Sequence, residues 1–269
     1  MLAHWTQNDI VINGAKLHYI RTGDGSLQAL VLQHGFSDNG LCWSPTAQAL
    51  ETEYDIIMPD ARGHGLSARV QPGEDVDTTA DLAELIRNLG LKRPIIAGHS
   101  MGASIASQLG ARFPDVPRAL LLEDPPWRDA APQPPAGNAA PFDRWFREMA
   151  ELTVEQIVEH SRAEHPTWPE NVLRTWCAAK KQLDLNFFGT MRRGQTEWRE
   201  IAKAITCPTL LITADPDKGG IVSPELAAEA AKINPNISVI HIPGTGHHIR
   251  FADYDAYMDA FRTFLKEVG

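Results

Sequence analysis

Cysteine is scarce in this 269-residue chain: there are three, and Cys42, Cys177 and Cys207 are scattered. That spacing offers neither a disulfide framework nor a zinc-ligand set, so all three are expected to be reduced packing thiols. Basic charge is also short, with 25 Lys and Arg against 34 Asp and Glu and a net charge of −9. Such a surface repels phosphate backbones and anionic lipid, which argues against nucleic acid as a partner. No stretch approaches the ~18 uninterrupted apolar residues of a membrane span. The start, Met1-Leu2-Ala3-His4-Trp5-Thr6-Gln7, lacks the basic flank and apolar run of a secretion signal. The expectation is a soluble, cytoplasmic protein with no membrane partner. Internal repeats and long charge runs are missing as well.

What is there is an alternation of short apolar runs and helix-length segments. The opening reads as a β-hairpin, in which Ile10-Val11-Ile12 and Leu17-His18-Tyr19-Ile20 flank an Asn13-Gly14 pair able to take the positive φ of a tight turn. Apolar runs then recur at residues 29–33, 55–58, 94–97, 119–122, 209–213 and 238–242. Continuous runs of that length suit strands buried on both faces, and their alternation with helices predicts an α/β fold around a mostly parallel central sheet. Leu82, Leu85, Ile86 and Leu89 fall on one helical face, with Asp77, Thr78 or Thr79 as N-cap and Gly90 as the end. Tyr257, Phe261, Phe264, Leu265 and Val268 repeat that spacing at the C-terminus.

One region breaks the rhythm. From 125 to 204 there is no convincing strand; a Pro-, Ala- and Gly-rich stretch, 125–141, leads into helical patterns before Thr206-Cys207-Pro208 restarts the strand series. The chain therefore divides into a core, 1–124 with 205–269, and an inserted helical domain, 125–204. The insertion carries five of the seven tryptophans, Trp127, Trp145, Trp168, Trp176 and Trp198, with Phe142, Phe146, Phe187, Phe188 and Met191. These could fill its own core or line a pocket.

The residues that carry chemistry follow the strands. After the run at 94–97 comes Gly98-His99-Ser100-Met101-Gly102, then a helical run from Ala103 to Phe113. Glycines two before and two after a serine allow a sharp strand-to-helix turn that leaves the hydroxyl exposed at a helix N-terminus. Ser100 is therefore the candidate nucleophile. A serine hydroxyl needs a base, and of ten histidines His247, in Gly244-Thr245-Gly246-His247-His248, follows the last predicted strand on the same sheet edge. It is preferred to His248, which would then point away into solvent or the insertion. After an earlier strand, His34-Gly35-Phe36 can aim the Phe36 N–H at a carbonyl oxygen, with the Met101 N–H as second donor of an oxyanion hole.

Taken together, His34-Gly35-Phe36, Asp60-Ala61-Arg62-Gly63-His64-Gly65-Leu66-Ser67, Gly98-His99-Ser100-Met101-Gly102 and Pro243-Gly244-Thr245-Gly246-His247 resemble the α/β-hydrolase superfamily in order and over nearly the whole chain. The resemblance implies the α/β-hydrolase fold, with the insertion as a cap or lid, and a nucleophile–acid–histidine triad needing no metal or organic cofactor. It also implies a turn near the site at 60–67 without chemistry of its own. The third member departs from the common pattern. Relatives usually place the acid after the strand here at 209–213, before an Ile-Val pair, but Lys218, Gly219 and Gly220 separate Asp217 from Ile221-Val222. Some relatives supply the acid from the position of Glu123-Asp124, which follows the run at 119–122. Asp124 heads the candidates, Asp217 is its alternative, and Asp215 and Glu123 stay open.

A serine at the nucleophile position argues against dehalogenation and epoxide opening, which need a carboxylate there. The expected activity is hydrolysis of a small to medium apolar ester or lactone through an acyl-enzyme, with a small molecule as partner. Relatives with the same triad also act as carbon–carbon bond hydrolases and cofactor-free haloperoxidases, and a lactone sensor with a moving cap is the rival from outside catalysis. A homodimer and a monomer are both open as assemblies.

Overall fold

The computed structural model describes residues 2–129, 141–190 and 197–269. Met191, most of the Pro-, Ala- and Gly-rich stretch and the Phe142 side chain lie outside what is described. Eight strands make one sheet: β1 (Thr6–Ile12), β2 (Ala15–Arg21), β3 (Ala29–Gln33), β4 (Asp55–Pro59), β5 (Ile95–His99), β6 (Ala119–Glu123), β7 (Thr209–Thr213) and β8 (Ile237–His241). Their order is β1-β2-β4-β3-β5-β6-β7-β8. The first two form the expected hairpin, with Asn13 at φ 49° and Gly14 at φ 76°, and β2 runs antiparallel to β4. From β4 to β8 every pairing is parallel.

Among the described residues there are ten α-helices: α1 (Ser44–Leu50), α2 (Thr78–Asn88), α3 (Met101–Arg112), α4 (Pro141–Glu151), α5 (Val154–Glu164), α6 (Glu170–Lys180), α7 (Trp198–Ala204), α8 (Pro224–Ile233), α9 (Ile249–Ala252) and α10 (Tyr254–Val268). Asp77 caps α2 by accepting from the Ala80 N–H, one of its three proposed capping residues. Strands β3 to β7 are buried along their whole length, so both faces need covering, and successive residues serve opposite cores. Val31, Ile57, Ile96 and Leu120 pack with Leu82 and Leu85 of α2, Ile105 and Leu109 of α3, Ala202 of α7 and Ala227 of α8. Leu30, Ile56, Ile95 and Leu121 pack with Ala47 and Leu50 of α1 and with Tyr257 and Phe261 of α10. The result is an α/β sandwich of helix, sheet and helix.

Helices α4 to α6 have a third core, built from Met149, Ile157, Leu173, Trp176 and Cys177, into which Cys42 and Phe251 project from elsewhere in the chain. All three cysteines are buried and unpaired. At the insertion's ends, Trp127 and Trp198 stack at 5.4 Å and join the core shared with α3. Among the described residues, no helix is long and apolar enough to cross a membrane.

Candidate active site

The strand order sets the site. β3, β5, β6, β7 and β8 are consecutive neighbours, and residues 34–38, Ser100, Asp124, the 214–222 loop and the 242–248 loop all leave their C-terminal ends. Open parallel sheets bind ligands on this edge, where loops diverge from the strands.

At the end of β5 the chain turns through Ser100, whose φ of 53° and ψ of −116° place it outside the usual regions, before entering α3. The two flanking glycines are obligatory. A Cβ on Gly98 would lie 2.3 Å from the Gly102 carbonyl carbon, and one on Gly102 would lie 2.2 Å from the Gln33 carbonyl oxygen. The turn is thus pressed against the end of β3. Ser100 caps the first turn of α3, its carbonyl accepting from Ser104 N–H at 2.9 Å. As the first helical residue, Met101 has an N–H with no intrahelical acceptor.

Asp124 takes the same strained path at the end of β6, with φ 43°. Its carboxylate is wholly buried and surrounded by donors. Oδ1 accepts from the Ile221 and Val222 N–H groups at 3.0 Å each, and Oδ2 accepts from Ile221 N–H at 2.9 Å and from His247 Nδ1–H at 2.6 Å. A carboxylate facing the ring puts the proton on Nδ1 and leaves the Nε2 lone pair open. Of the four carboxylates proposed for this place, Asp124 is the one that meets His247 among the described residues. Asp217 is exposed and, among the described residues, its side chain makes no hydrogen bond. Asp215 accepts from Gly244 N–H at 2.8 Å and from His241 Nε2 at 2.9 Å, contacts that join two loops and hold its carboxyl below the usual range, the backbone bond foremost. Glu123 pairs with Arg250 Nη1 at 2.9 Å behind the site; burial raises its pKa, and Arg250 opposes the rise. The Lys218-Gly219-Gly220 insertion that loosens the match to the common pattern has a purpose here. Gly219, at φ 95°, and Gly220, whose Cβ would meet Ala214 O at 2.8 Å, turn the loop so that the Ile221 and Val222 N–H groups reach Asp124.

Around this pair lie Asp38, Lys180 and Arg250, which sequence reasoning does not single out, and His99, to which it gives no role. His99 donates from Nε2 to the His247 carbonyl oxygen at 3.0 Å, and burial keeps its pKa well below the ordinary value. Its Nδ1 lies 3.9 Å from Asp38 Oδ2, and Arg250 Nη2 lies 3.8 Å from the same oxygen. Lys180 of α6 reaches Asp38 Oδ1 at 2.8 Å. One signal for Lys180 is present in the sequence: with Leu173, Trp176 and Cys177 it stands at the fourth place of an i, i+3, i+4, i+7 stripe, where an apolar residue belongs. His34 accepts at Nε2 from Ala61 N–H at 2.9 Å and holds the two loops together. The 35–38 turn closes with Asp38 N–H donating to Gly35 O at 3.1 Å, and Ser37 takes φ 63°. The Phe36 ring packs on Phe146, Phe187 and Phe188 of the insertion at 5.1 to 6.1 Å. His248 turns into the insertion, as expected, stacked on Phe251 and edge-on to Trp168 and Trp176. A cleft of about 300 Å³, bordered by His165, Trp168, Lys218 and Gly246, reaches His247.

A sequence profile described as the alpha/beta hydrolase family matches residues 30–260. The chain belongs to that family, and it is a hydrolase. It is 29% identical over 269 residues to the N-formylmaleamate deformylase of Pseudomonas putida, covering 96% of this chain and 95% of that one. Its fold is similar to that of E-2-(acetamidomethylene)succinate hydrolase, with a TM-score of 0.80, 21% identity, and coverage of 98% of this chain and all of the other. The enol-lactonase from Burkholderia xenovorans gives a TM-score of 0.77 at 20% identity, covering 96% of this chain and 100% of that one.

Proposed function

We propose that the chain hydrolyses a small carboxylic ester or lactone through an acyl-enzyme on Ser100, with His247 as base and Asp124 as the acid. The observation that carries this reading is the 2.6 Å contact from His247 Nδ1 to a buried carboxylate that already accepts from two backbone N–H groups. Such a carboxylate fixes the tautomer and steadies the imidazolium. His247 Nε2 takes the Ser100 proton as Oγ bonds to the acyl carbon. The Phe36 and Met101 N–H groups hold the oxyanion, and the imidazolium returns its proton to the leaving group. Water then attacks the acyl-enzyme with the same base, releasing the acid and restoring Ser100. The cleft at His247 is the route by which substrate enters, and the helical insertion acts as a cap whose Phe146, Phe187 and Phe188 give the acyl side an apolar wall.

A second reading, hydrolysis of an amide-type N-acyl bond, is favoured by one observation: the relative at 29% identity is named a deformylase. The same triad serves both, because only the leaving atom differs. The test is turnover of nitrophenyl esters, lactones and N-formyl or N-acetyl amides by the wild type and by Ser100→Ala. Turnover that vanishes in the variant supports the acyl-enzyme, and the preferred substrate decides between oxygen and nitrogen as leaving atom. Turnover that survives in Ser100→Ala rejects Ser100 as nucleophile.

A further inference from the structure

Lys180 is a lysine where an aliphatic residue would serve packing better. Its side chain is 1% exposed, on the buried stripe of α6. Burying an ammonium is costly unless every N–H is satisfied, and an apolar residue of similar volume often stabilises more. Here all three donors have an acceptor: Asp38 Oδ1 at 2.8 Å, the Ser37 carbonyl oxygen at 3.3 Å, and the face of the Trp176 ring at 3.8 Å. Two of the three belong to one short turn, residues 35–38, and that turn contains Phe36. A neighbouring contact from the same stretch of the insertion, Asn39 Nδ2 donating to Gln182 Oε1 at 2.8 Å, grips the next residue. The turn needs external support. Ser37 sits at φ 63°, a conformation that side chains other than glycine rarely hold unaided, and Asp38 N–H to Gly35 O is its own closing bond. Neutralising Asp38 does not by itself call for Lys180, because the Arg250 guanidinium already lies 3.8 Å from the other carboxylate oxygen.

Resting on the reading of Phe36 as an oxyanion donor, we infer that Lys180 is a positioning residue for the oxyanion hole. Its ammonium, anchored on Ser37 O and Asp38 Oδ1, holds the 35–38 turn so that the Phe36 N–H faces the substrate carbonyl oxygen. The helical insertion thereby completes the catalytic machinery as well as covering it.

The experiment compares full-length wild type, Lys180→Met and the double variant Lys180→Met/Asp38→Asn. It measures kcat and KM on the best substrate, the inhibition constant of a boronic acid that mimics the tetrahedral intermediate, and Tm. Loss of one oxyanion donor costs about a hundredfold to a thousandfold in kcat, so a donor that is displaced but present should cost about tenfold to a hundredfold. The expectation for Lys180→Met is that loss in kcat, a parallel loss in boronate affinity and a KM within about threefold, since the ground-state carbonyl depends less on the hole. In the double variant, Tm recovers because the methionine then faces a neutral amide rather than a buried carboxylate oxygen that has lost its 2.8 Å donor, while kcat and boronate affinity stay low. If Lys180→Met does not fold, the double variant carries the same comparison. A Lys180 variant with kcat within twofold of wild type overturns the inference, and so does a double variant that regains kcat along with Tm. A fluorophosphonate that fails to label Ser100 in the wild type would instead sink the acyl-enzyme reading, and this inference with it.

Discussion

Asparagine at position 124 separates the proposed acid from its rivals, and the size of the effect follows from the hydrogen bonds. Oδ1 accepts two backbone N–H groups, whereas Oδ2 shares one of these and accepts His247 Nδ1–H. An asparagine keeps a single acceptor. If its oxygen stays with Ile221 and Val222, its amide nitrogen faces His247 and donates to Nδ1. The opposite orientation sets an N–H₂ group against two N–H donors in a fully buried site, which is the costlier arrangement. The histidine proton is therefore driven to Nε2, the atom that in the proposed mechanism accepts the Ser100 proton. Where an asparagine forces that wrong tautomer in a serine triad, the loss is about ten-thousandfold in kcat, or about 5 kcal/mol of barrier. Steady-state turnover of a nitrophenyl ester by Asp124→Asn should show that loss, with far-UV circular dichroism like the wild type's. Asp217→Asn, altering an exposed side chain, should stay within about twofold. A folded Asp124→Asn enzyme less than tenfold impaired would refute the reasoning.

Two further outcomes follow from the structure. In Gly102→Ala the new methyl group would fall 2.2 Å from Gln33 O and 2.6 Å from His34 O, both backbone atoms that cannot swing aside. A loss of about 3 kcal/mol in urea unfolding is expected, and an unchanged midpoint would show that the elbow is not close-packed. His34, His64, His99 and His248 all titrate below their ordinary value of 6.5, burial being the first cause in each. A lowered pKa means the unfolded chain binds more protons. The stability these residues contribute is then present above pH 6.5 and lost as pH falls toward their folded values, by up to about 1.4 kcal/mol per pH unit for each. Tm should drop steeply between pH 7 and pH 5.5, although the raised pKa of Glu123 works in the opposite direction; a flat profile would mean that these rings are not held neutral.

Much of this architecture is legible before any coordinates. The six apolar runs lie on β3 to β8 to within a residue or two at either end, and the hairpin, the Asp77 cap and the terminal helix fall where spacing places them. Local chemistry explains that success: burial on both faces demands continuous apolar runs, and a sharp strand-to-helix turn demands glycines two before and two after its serine, where no Cβ fits. The acid could not be resolved the same way. Four carboxylates follow strands that end on one sheet edge, and the difference between them is the left-handed turn at Asp124 and the two N–H groups delivered from 97 and 98 residues away. The Asp38, Lys180, Arg250 and Glu123 set is harder still, since it joins side chains more than a hundred positions apart. The tryptophans of the insertion resolve only in three dimensions. Trp168 and Trp176 fill the insertion's own core, whereas Trp127 and Trp198 anchor its ends to the core shared with the sheet.

The central claim, that acyl transfer passes through Ser100 under the control of His247, is tested most directly by intact-mass spectrometry after brief exposure to a fluorophosphonate, followed by peptide mapping. The account predicts one adduct per chain, on the peptide that carries Ser100, none in Ser100→Ala, and labelling slowed by about a hundredfold or more in His247→Ala. An enzyme that turns over substrate without forming that adduct, or that forms it elsewhere, would contradict it.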